Sequence, residues 1–287
     1  MPQNPQEIKE RIEGVENIRQ VTRAMKMVAD AKLKKAQKAI EQTRPYAYKI
    51  NNVLRQLLPQ IDRSLNPLLD VREPQNIGIV VVTADRGLCG AFNSRIIRQT
   101  EHTLAQYTPD QVRLICIGRK GLRHFEREGY TIIGEYTDFF RDLEFGNAVS
   151  IVDVITERFL QYDLDRIHVI YNEFKNVVQQ DVVVEQFLPL VISEEESKES
   201  LDEYLLEPSE DAVVDSLVPR HLNVQMWRML LESNAAEQGA RRTAMDNATE
   251  NAEEMINDLN LEFNKARQSA ITKEISEIVG GAEAMKE

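Results

Sequence analysis

Two helical patterns, one toward each end of the chain, are too long for an ordinary globular fold. Near the N-terminus, apolar residues recur at Ile8, Ile12, Val15, Ile18, Val21, Met25 and Val28, every step being three or four residues. That spacing predicts one face of an α-helix and excludes a strand, whose side chains alternate with period two. Asn4 is a candidate N-cap, Pro5 suits the first helical position, and Glu7 completes a capping box. The pattern continues to Leu58, with Pro45 expected to bend the helix or interrupt its hydrogen bonding. At the rise of an α-helix, roughly 55 residues span about 80 Å. After Pro219 the chain has no further proline, and Ile256, Leu259, Phe263, Ala266 and Ala270 form a heptad seam. A helix from about Ser209 to Gly280 would be on the order of 100 Å long. Neither helix can bury its stripe alone, so the simplest partner for each is the other, packed antiparallel. In the second helix SNAAEQGARRTAMDNATENA is rich in small residues, which let a partner backbone approach closely.

The middle of the chain changes period. Residues 59–76 carry three prolines and read as a linker. Then IGIVVVTADRGLCGAFN at 77–93 joins a β-branched run to a glycine-containing turn and an amphipathic segment, the order strand, loop, helix. VRLICI at 112–117 leads into GRKGLRHFEREG, RIHVIY at 166–171 follows a helical 147–161, and VVVEQFLPL at 182–190 closes the series. Short buried strands alternating with helices predict a mostly parallel sheet covered by helices, a Rossmann-like α/β domain at 77–192. An acidic connector at 193–208 follows. The expected organisation is an N-terminal coiled-coil helix at 1–58 and a C-terminal one at 209–287, with the α/β domain inserted between them.

The chain has a net charge of −12, which argues against bulk nucleic-acid binding. The charge is uneven: residues 1–58 hold twelve Lys and Arg against six Asp and Glu, while 193–215 hold ten acids against one Lys. That asymmetry predicts two different partner surfaces. Cys89 and Cys116 form no C-x-x-C pair and read as reduced thiols; the four histidines lack metal-ligand spacing. No run of about 18 apolar residues occurs, and MPQNPQEIKERIE does not read as a signal or transit peptide. Membrane association is therefore expected only through partners.

Each candidate motif has a plain alternative. TADRGLCG lies where dinucleotide folds bind pyrophosphate, but its spacing is neither G-x-G-x-x-G nor a P-loop, so Gly87 and Gly90 read as permitting a tight turn. Asp85 and Arg86 read as a turn Asp capping the next helix beside a surface Arg, because no His, Ser or metal cluster lies near them. Lys26, Lys32, Lys34, Lys35 and Lys38 read on composition alone as a solvated helix face; the functional alternatives are an electrostatic track for an acidic partner and nucleic-acid binding, the latter opposed by the acidic pI and the absence of interleaved aromatics. The methionines Met25, Met27, Met226, Met229, Met245 and Met255 read mostly as gap-filling core residues.

Five segments, in order along nearly the whole chain, resemble the γ subunit of F-type ATP synthases: IRQVTRAMKMVADAKLKKAQ, TADRGLCGAFN, YNEFKN, YLLEP and NKARQSAITKEISEIVGGAEA. ARQSAIT with the trailing EIVGGA is the most specific of them. The resemblance implies an asymmetric shaft of two terminal helices turning inside a ring of three α and three β subunits. The α/β domain would lie below, bound to the ε subunit and the ring of c subunits. Position by position, it implies that Met25, Arg267, Gln268 and Thr272 contact the catalytic β subunits. Arg86 and Cys89 would neighbour the acidic lower loop of β, and Tyr204 and Glu207 the polar loops of the c ring. It implies no catalytic residue, cofactor or metal in this chain. Chloroplast members carry an inserted segment with a regulatory cysteine pair; the stretch from Val191 to Tyr204 is short and has no cysteine, so thiol switching is not expected. A peripheral subunit on the cytoplasmic side of a bacterial inner membrane fits best. The competing expectations are a nucleotide-using enzyme, opposed by the missing phosphate loop, and a coiled-coil adaptor or nucleic-acid tether, opposed by the acidic balance.

Overall fold

A computed structural model describes residues 5–57, 66–177, 179–191, 207 and 209–284. The expected cap Asn4 lies outside them. The chain divides into two compact units, one formed by Met1–Val28 with Arg242–Glu287 and the other by Ala29–Arg241.

Two long helices dominate, α1 (Pro5–Leu57) and α5 (Glu210–Ala284). Between them lie β1 (Ile77–Val82), α2 (Phe92–Leu104), β2 (Val112–Ile117), α3 (Arg119–Arg127), β3 (Ile132–Tyr136), α4 (Phe145–Leu160), β4 (Arg166–Phe174) and β5 (Gln180–Leu188). Ser209 caps α5, its Oγ accepting from Ala212 N at 3.3 Å and its carbonyl from Val213 N at 3.1 Å. Both long helices contain a proline, Pro45 and Pro219, and both continue through it. Buried neighbours hold the chain helical there: Ala47, Ile50 and Leu54 beyond Pro45, Val218 and Leu222 around Pro219.

In the first unit α1 and α5 pack antiparallel. Lys26 Nζ donates to Asp246 at 2.5 Å, Thr22 Oγ meets Thr249 Oγ at 2.8 Å, and Arg19 lies 3.8 Å from Glu253. Numbers rise along one helix as they fall along the other. On α5 the seam runs through Met245, Ala252, Ile256 and Leu259, all buried, then through half-buried Phe263, Ala266 and Ala270. The α1 seam departs from the expected stripe. It passes through Ile8, Ile12, Val15 and Thr22, while Ile18, Val21 and Val28 are exposed. A seam repeating every 3.5 residues holds one narrow stripe against the partner helix, and residues 18, 21 and 28 fall beside it on a second, outward face.

The second unit is built on one sheet with strand order β3-β2-β1-β4-β5. β1 pairs in parallel with β2 and β4, β2 in parallel with β3, and β5 antiparallel with β4. β1 is central and wholly buried, which accounts for its unbroken apolar run. β3, half-buried at one edge, is absent from the sequence reading. One core gathers Ile79, Val81, Ile96, Leu114, Phe125 and Ala236 among strands, α2, α3 and α5. A larger core joins the sheet to α4, α1 and the start of α5 through Leu54, Val80, Ile155, Phe159, Val218 and Met229. Leu68 and Leu69, within the stretch read as a linker, are part of that core. A third cluster packs Leu33, Ala36 and Ile40 of α1 on Leu231 and Ala235 of α5.

Candidate functional site

The strand order reverses beside β1, and the turn after β1 is where an open α/β sheet would receive a ligand. Here the turn is filled by its own chain. Asp85 Oδ1 accepts from Arg119 N at 3.2 Å, so the turn aspartate caps α3 and not the helix that follows it. Asn93 reaches back from α2: its Oδ1 accepts from Ala84 N at 2.8 Å and its Nδ2 lies 3.2 Å from Cys89 Sγ. Thr83 Oγ donates toward Ile117 O at 3.0 Å and accepts from Gly121 N at 2.9 Å, stitching β1 to the start of α3. The left-handed positions are Leu88 (φ 62°) and Gly90 (φ 55°). Gly90 fits the expected role in the turn. Gly87 does not: it has no positive φ, and its carbonyl accepts a hydrogen bond from Arg241 Nη1 at 2.5 Å.

Arg241 and its ion-pair partner Glu237 stand on α5, one helical turn apart. Glu237 is 6% exposed, and burial raises its pKa against the pull of Arg241. Ala236 packs with Ala84 and Cys89 in the core beneath, and Ala240 borders it. Gly239 faces Phe174 and Val177, at a distance where a methyl group would make ordinary contact. The small residues noted in the sequence thus seat α5 on the sheet, where a ligand crevice would otherwise open.

The two thiols are poor nucleophiles. Cys89 is 1% exposed, and burial raises its pKa. Burial pushes the Cys116 thiol up to about 12. Among the described residues no group of three His, Cys, Asp or Glu could hold a metal ion. A cleft of about 700 Å³ opens between α1, α5 and β5. At its centre Arg228 donates to both oxygens of Glu185 at 2.9 Å, to Tyr171 Oη at 3.2 Å and to Gln225 Oε1 at 2.8 Å and lies 3.6 Å from Glu232, while Glu232 Oε2 and His221 Nδ1 have no hydrogen-bond partner among the described residues. This is a brace between the helix and an edge strand.

The expected contact residues form separate groups. Met25 is half-buried on α1, and Lys26 is tied to Asp246. Lys32, Lys34, Lys35 and Lys38 are exposed on α1, around buried Leu33 and Ala36. Arg86 is exposed in the turn after β1, beside Leu88 at 64% exposure, while Cys89 supports the turn from inside. Arg267, Gln268 and Thr272 are exposed on one stretch of α5, with Thr272 Oγ donating to Gln268 O at 2.8 Å. Glu207 is exposed, and Tyr204 lies outside the described residues. Sequence reasoning missed Glu237, Arg241 and Asn93. Arg241 meets Gly87 across 154 residues of sequence, its i, i+4 pairing with Glu237 on a long helix looks like surface charge, and Asn93 in the first turn of α2 reads as an ordinary polar helix residue.

Among the described residues no helix is long and apolar enough to cross a membrane. A family model described as ATP synthase matches residues 4–285. The ATP synthase gamma chain of Chloroherpeton thalassium is 46% identical over 297 aligned residues, covering 98% of each chain. That of Chlorobaculum tepidum is 47% identical over 287, again covering 98% of each. A chain of the Euglena gracilis mitochondrial ATP synthase, solved with its c-ring, superposes with a TM-score of 0.72 at 20% identity, covering 98% of this chain and 94% of that one. A chain from the central stalk and c-ring of the Tetrahymena thermophila mitochondrial enzyme gives 0.62 at 23% identity, covering 79% and 99%. The chain therefore belongs to the ATP synthase γ-chain family: it is the central-stalk rotor subunit of an F-type ATP synthase, non-catalytic in itself and part of the machinery of ATP synthesis and proton transport.

Proposed function

We propose that the chain couples ion flow through a membrane ring to conformational change at the catalytic β subunits, by turning within a collar of three α and three β subunits. The observation that carries the reading is a second apolar face. Ile18, Val21 and Val28 are exposed on α1 beside its packed seam, and Ile271, Ile275 and Ile278 are exposed on α5 beyond Ala270, the last seam residue. Apolar side chains in such numbers, unused by the chain's own packing, mark a surface made for another protein. In this reading Met25, Arg267, Gln268 and Thr272 meet the β subunits, and the β1–α2 turn presents Arg86, backed by Cys89, to an acidic β-subunit loop. The track Lys26, Lys32, Lys34, Lys35 and Lys38 complements the same acidic surface. Tyr204 and Glu207 meet the c-ring, and the ε subunit binds the α/β portion. The functional divisions are those of the sequence: shaft helices at 1–58 and 209–287, a linker at 59–76, an α/β domain at 77–192 and a connector at 193–208. The complex lies on the cytoplasmic face of a bacterial inner membrane, held there by its partners. Rotation shifts each β subunit between open and closed populations, because an asymmetric shaft binds the two states unequally.

The test is single-molecule rotation. The chain, carrying Glu128→Cys at an exposed position, is assembled with α and β subunits and labelled with a bead; buried Cys116 is unsuitable for labelling. Stepwise rotation that requires ATP is the expected result. Assembly with ATP hydrolysis but no rotation would reject the shaft role.

A further inference from the structure

We infer that the buried Glu237–Arg241 pair is a positioning device that fixes the β1–α2 turn to α5, so that Arg86 and Leu88 keep a set orientation relative to that helix. The inference deepens the rotor reading, in which this turn is a contact surface.

The turn needs an external hold. Leu88 is an exposed, branched side chain at φ 62°, a conformation that a non-glycine residue leaves unless its surroundings fix it. The ties from Asn93 and Asp85 anchor the two ends of the turn, at Ala84 and at Cys89, and reach α3 at Arg119. At the middle, Arg86 O has long contacts with Asn93 Nδ2 at 3.5 Å and Cys89 Sγ at 3.8 Å, and Gly87 O is held by Arg241. Arg241 thus ties α5 to the segment between Asp85 and Cys89.

Its geometry suits a rigid tether. The guanidinium is planar, and it divides its donors between Glu237 on its own helix and Gly87 O across the gap. Glu237 is buried beside Asp85 and Lys32, which face it electrostatically, and it also acts on Cys89. A carboxylate so enclosed keeps the guanidinium in one rotamer, because an uncompensated buried charge is costly. Glu237 thus acts through Arg241, and Arg241 through the Gly87 carbonyl.

The experiment uses the full chain with Glu237→Leu and Arg241→Met together, which removes both charges and keeps the volume apolar. Replacing Arg241 alone would strand a buried carboxylate and confound the result. Hydrogen exchange is followed by residue, and the same chain is assembled with its partner subunits in vesicles, where ATP hydrolysis and proton pumping are measured together. The expected outcome is an unchanged melting temperature, amide exchange at residues 86–90 faster by about tenfold, and less pumping per ATP hydrolysed. Unchanged exchange in the turn would overturn the inference. Unchanged pumping per ATP, with faster exchange, would overturn its link to coupling. If the double variant does not fold, Arg241→Lys retains the charge beside Glu237 while losing the planar fork; the turn's exchange must then rise without loss of melting temperature, and failure to rise overturns the inference. The exchange result stands on the chain alone. Failure of the rotor reading would appear separately, as absence of coupled pumping with the unaltered chain.

Discussion

Gly118 sits at φ 88°, and a Cβ built there would lie 2.0 Å from the Thr83 carbonyl oxygen. Backbone meets backbone at that point, so no rotamer change relieves the contact. Gly118→Ala is expected to destabilise the chain by about 2–3 kcal/mol, combining steric clash with an unfavourable backbone region; chemical denaturation of the two chains measures it. His221 makes a different prediction. It is 4% exposed, its Nδ1 has no hydrogen-bond partner among the described residues, and burial together with Arg228 and Arg55 lowers its pKa to about 4 from an ordinary 6.5. The unfolded chain gains a proton near the ordinary value, and the folded chain only near the lowered one. Stability from this residue is therefore complete above about pH 6.5, declines as pH falls toward about 4, and levels off below that. The loss is about 3 kcal/mol at most. His221→Met is expected to flatten the melting temperature against pH across that window. An equally steep curve in the variant would assign the acid sensitivity to other groups.

At the scale of the elements, the α1–α5 seam is apolar at Ile8, Ile12, Ile256 and Leu259 and polar around Thr22 and Thr249. Each threonine hydroxyl also faces a carbonyl of its own helix, Arg19 O at 3.0 Å and Met245 O at 2.7 Å. Two protons serve three contacts, so the pair is not a strong clamp. Replacing both threonines by valine is expected to change stability by less than about 0.5 kcal/mol, since both partners of a buried hydrogen bond are removed together. Leu259→Ala, which opens a cavity in the apolar part, is expected to cost about 2–4 kcal/mol. Thermal unfolding of the two variants separates the two parts of the seam. The long helices were legible because a 3.6-residue period sustained over fifty residues has no other reading. Which face packs was less legible: Ile18, Val21 and Val28 fit the period but form a second stripe, and apolarity does not distinguish a seam from an outward contact face. β3 escaped because it is short and half-buried. The turn after β1 was legible as a turn, but its ties to Arg119 and Arg241 span 34 and 154 residues of sequence and left no local periodicity.

For the whole molecule, the decisive contrast is between surfaces that hold the chain together and surfaces that serve another protein. Residues 271–279 of α5 are all exposed, Ile271, Ile275 and Ile278 among them, whereas Ile256 and Leu259 in the same helix are buried. An apolar stripe that contributes nothing to the chain's own packing is costly to leave in water unless an assembled partner covers it. Removing residues 271–287 is therefore expected to leave unfolding of the isolated chain within about 0.5 kcal/mol of the original, the range of surface changes. A loss of more than about 1 kcal/mol would show that the segment packs on its own chain. In the assembled enzyme the same truncation removes the apolar contact while Met25 and the lysine track remain. ATP hydrolysis is expected to continue while proton pumping per ATP falls, because a shaft with fewer state-dependent contacts biases the β subunits less. Paired hydrolysis and pumping assays in one vesicle preparation decide it: equal ratios for full-length and truncated chains would place the coupling contacts N-terminal to Ile271.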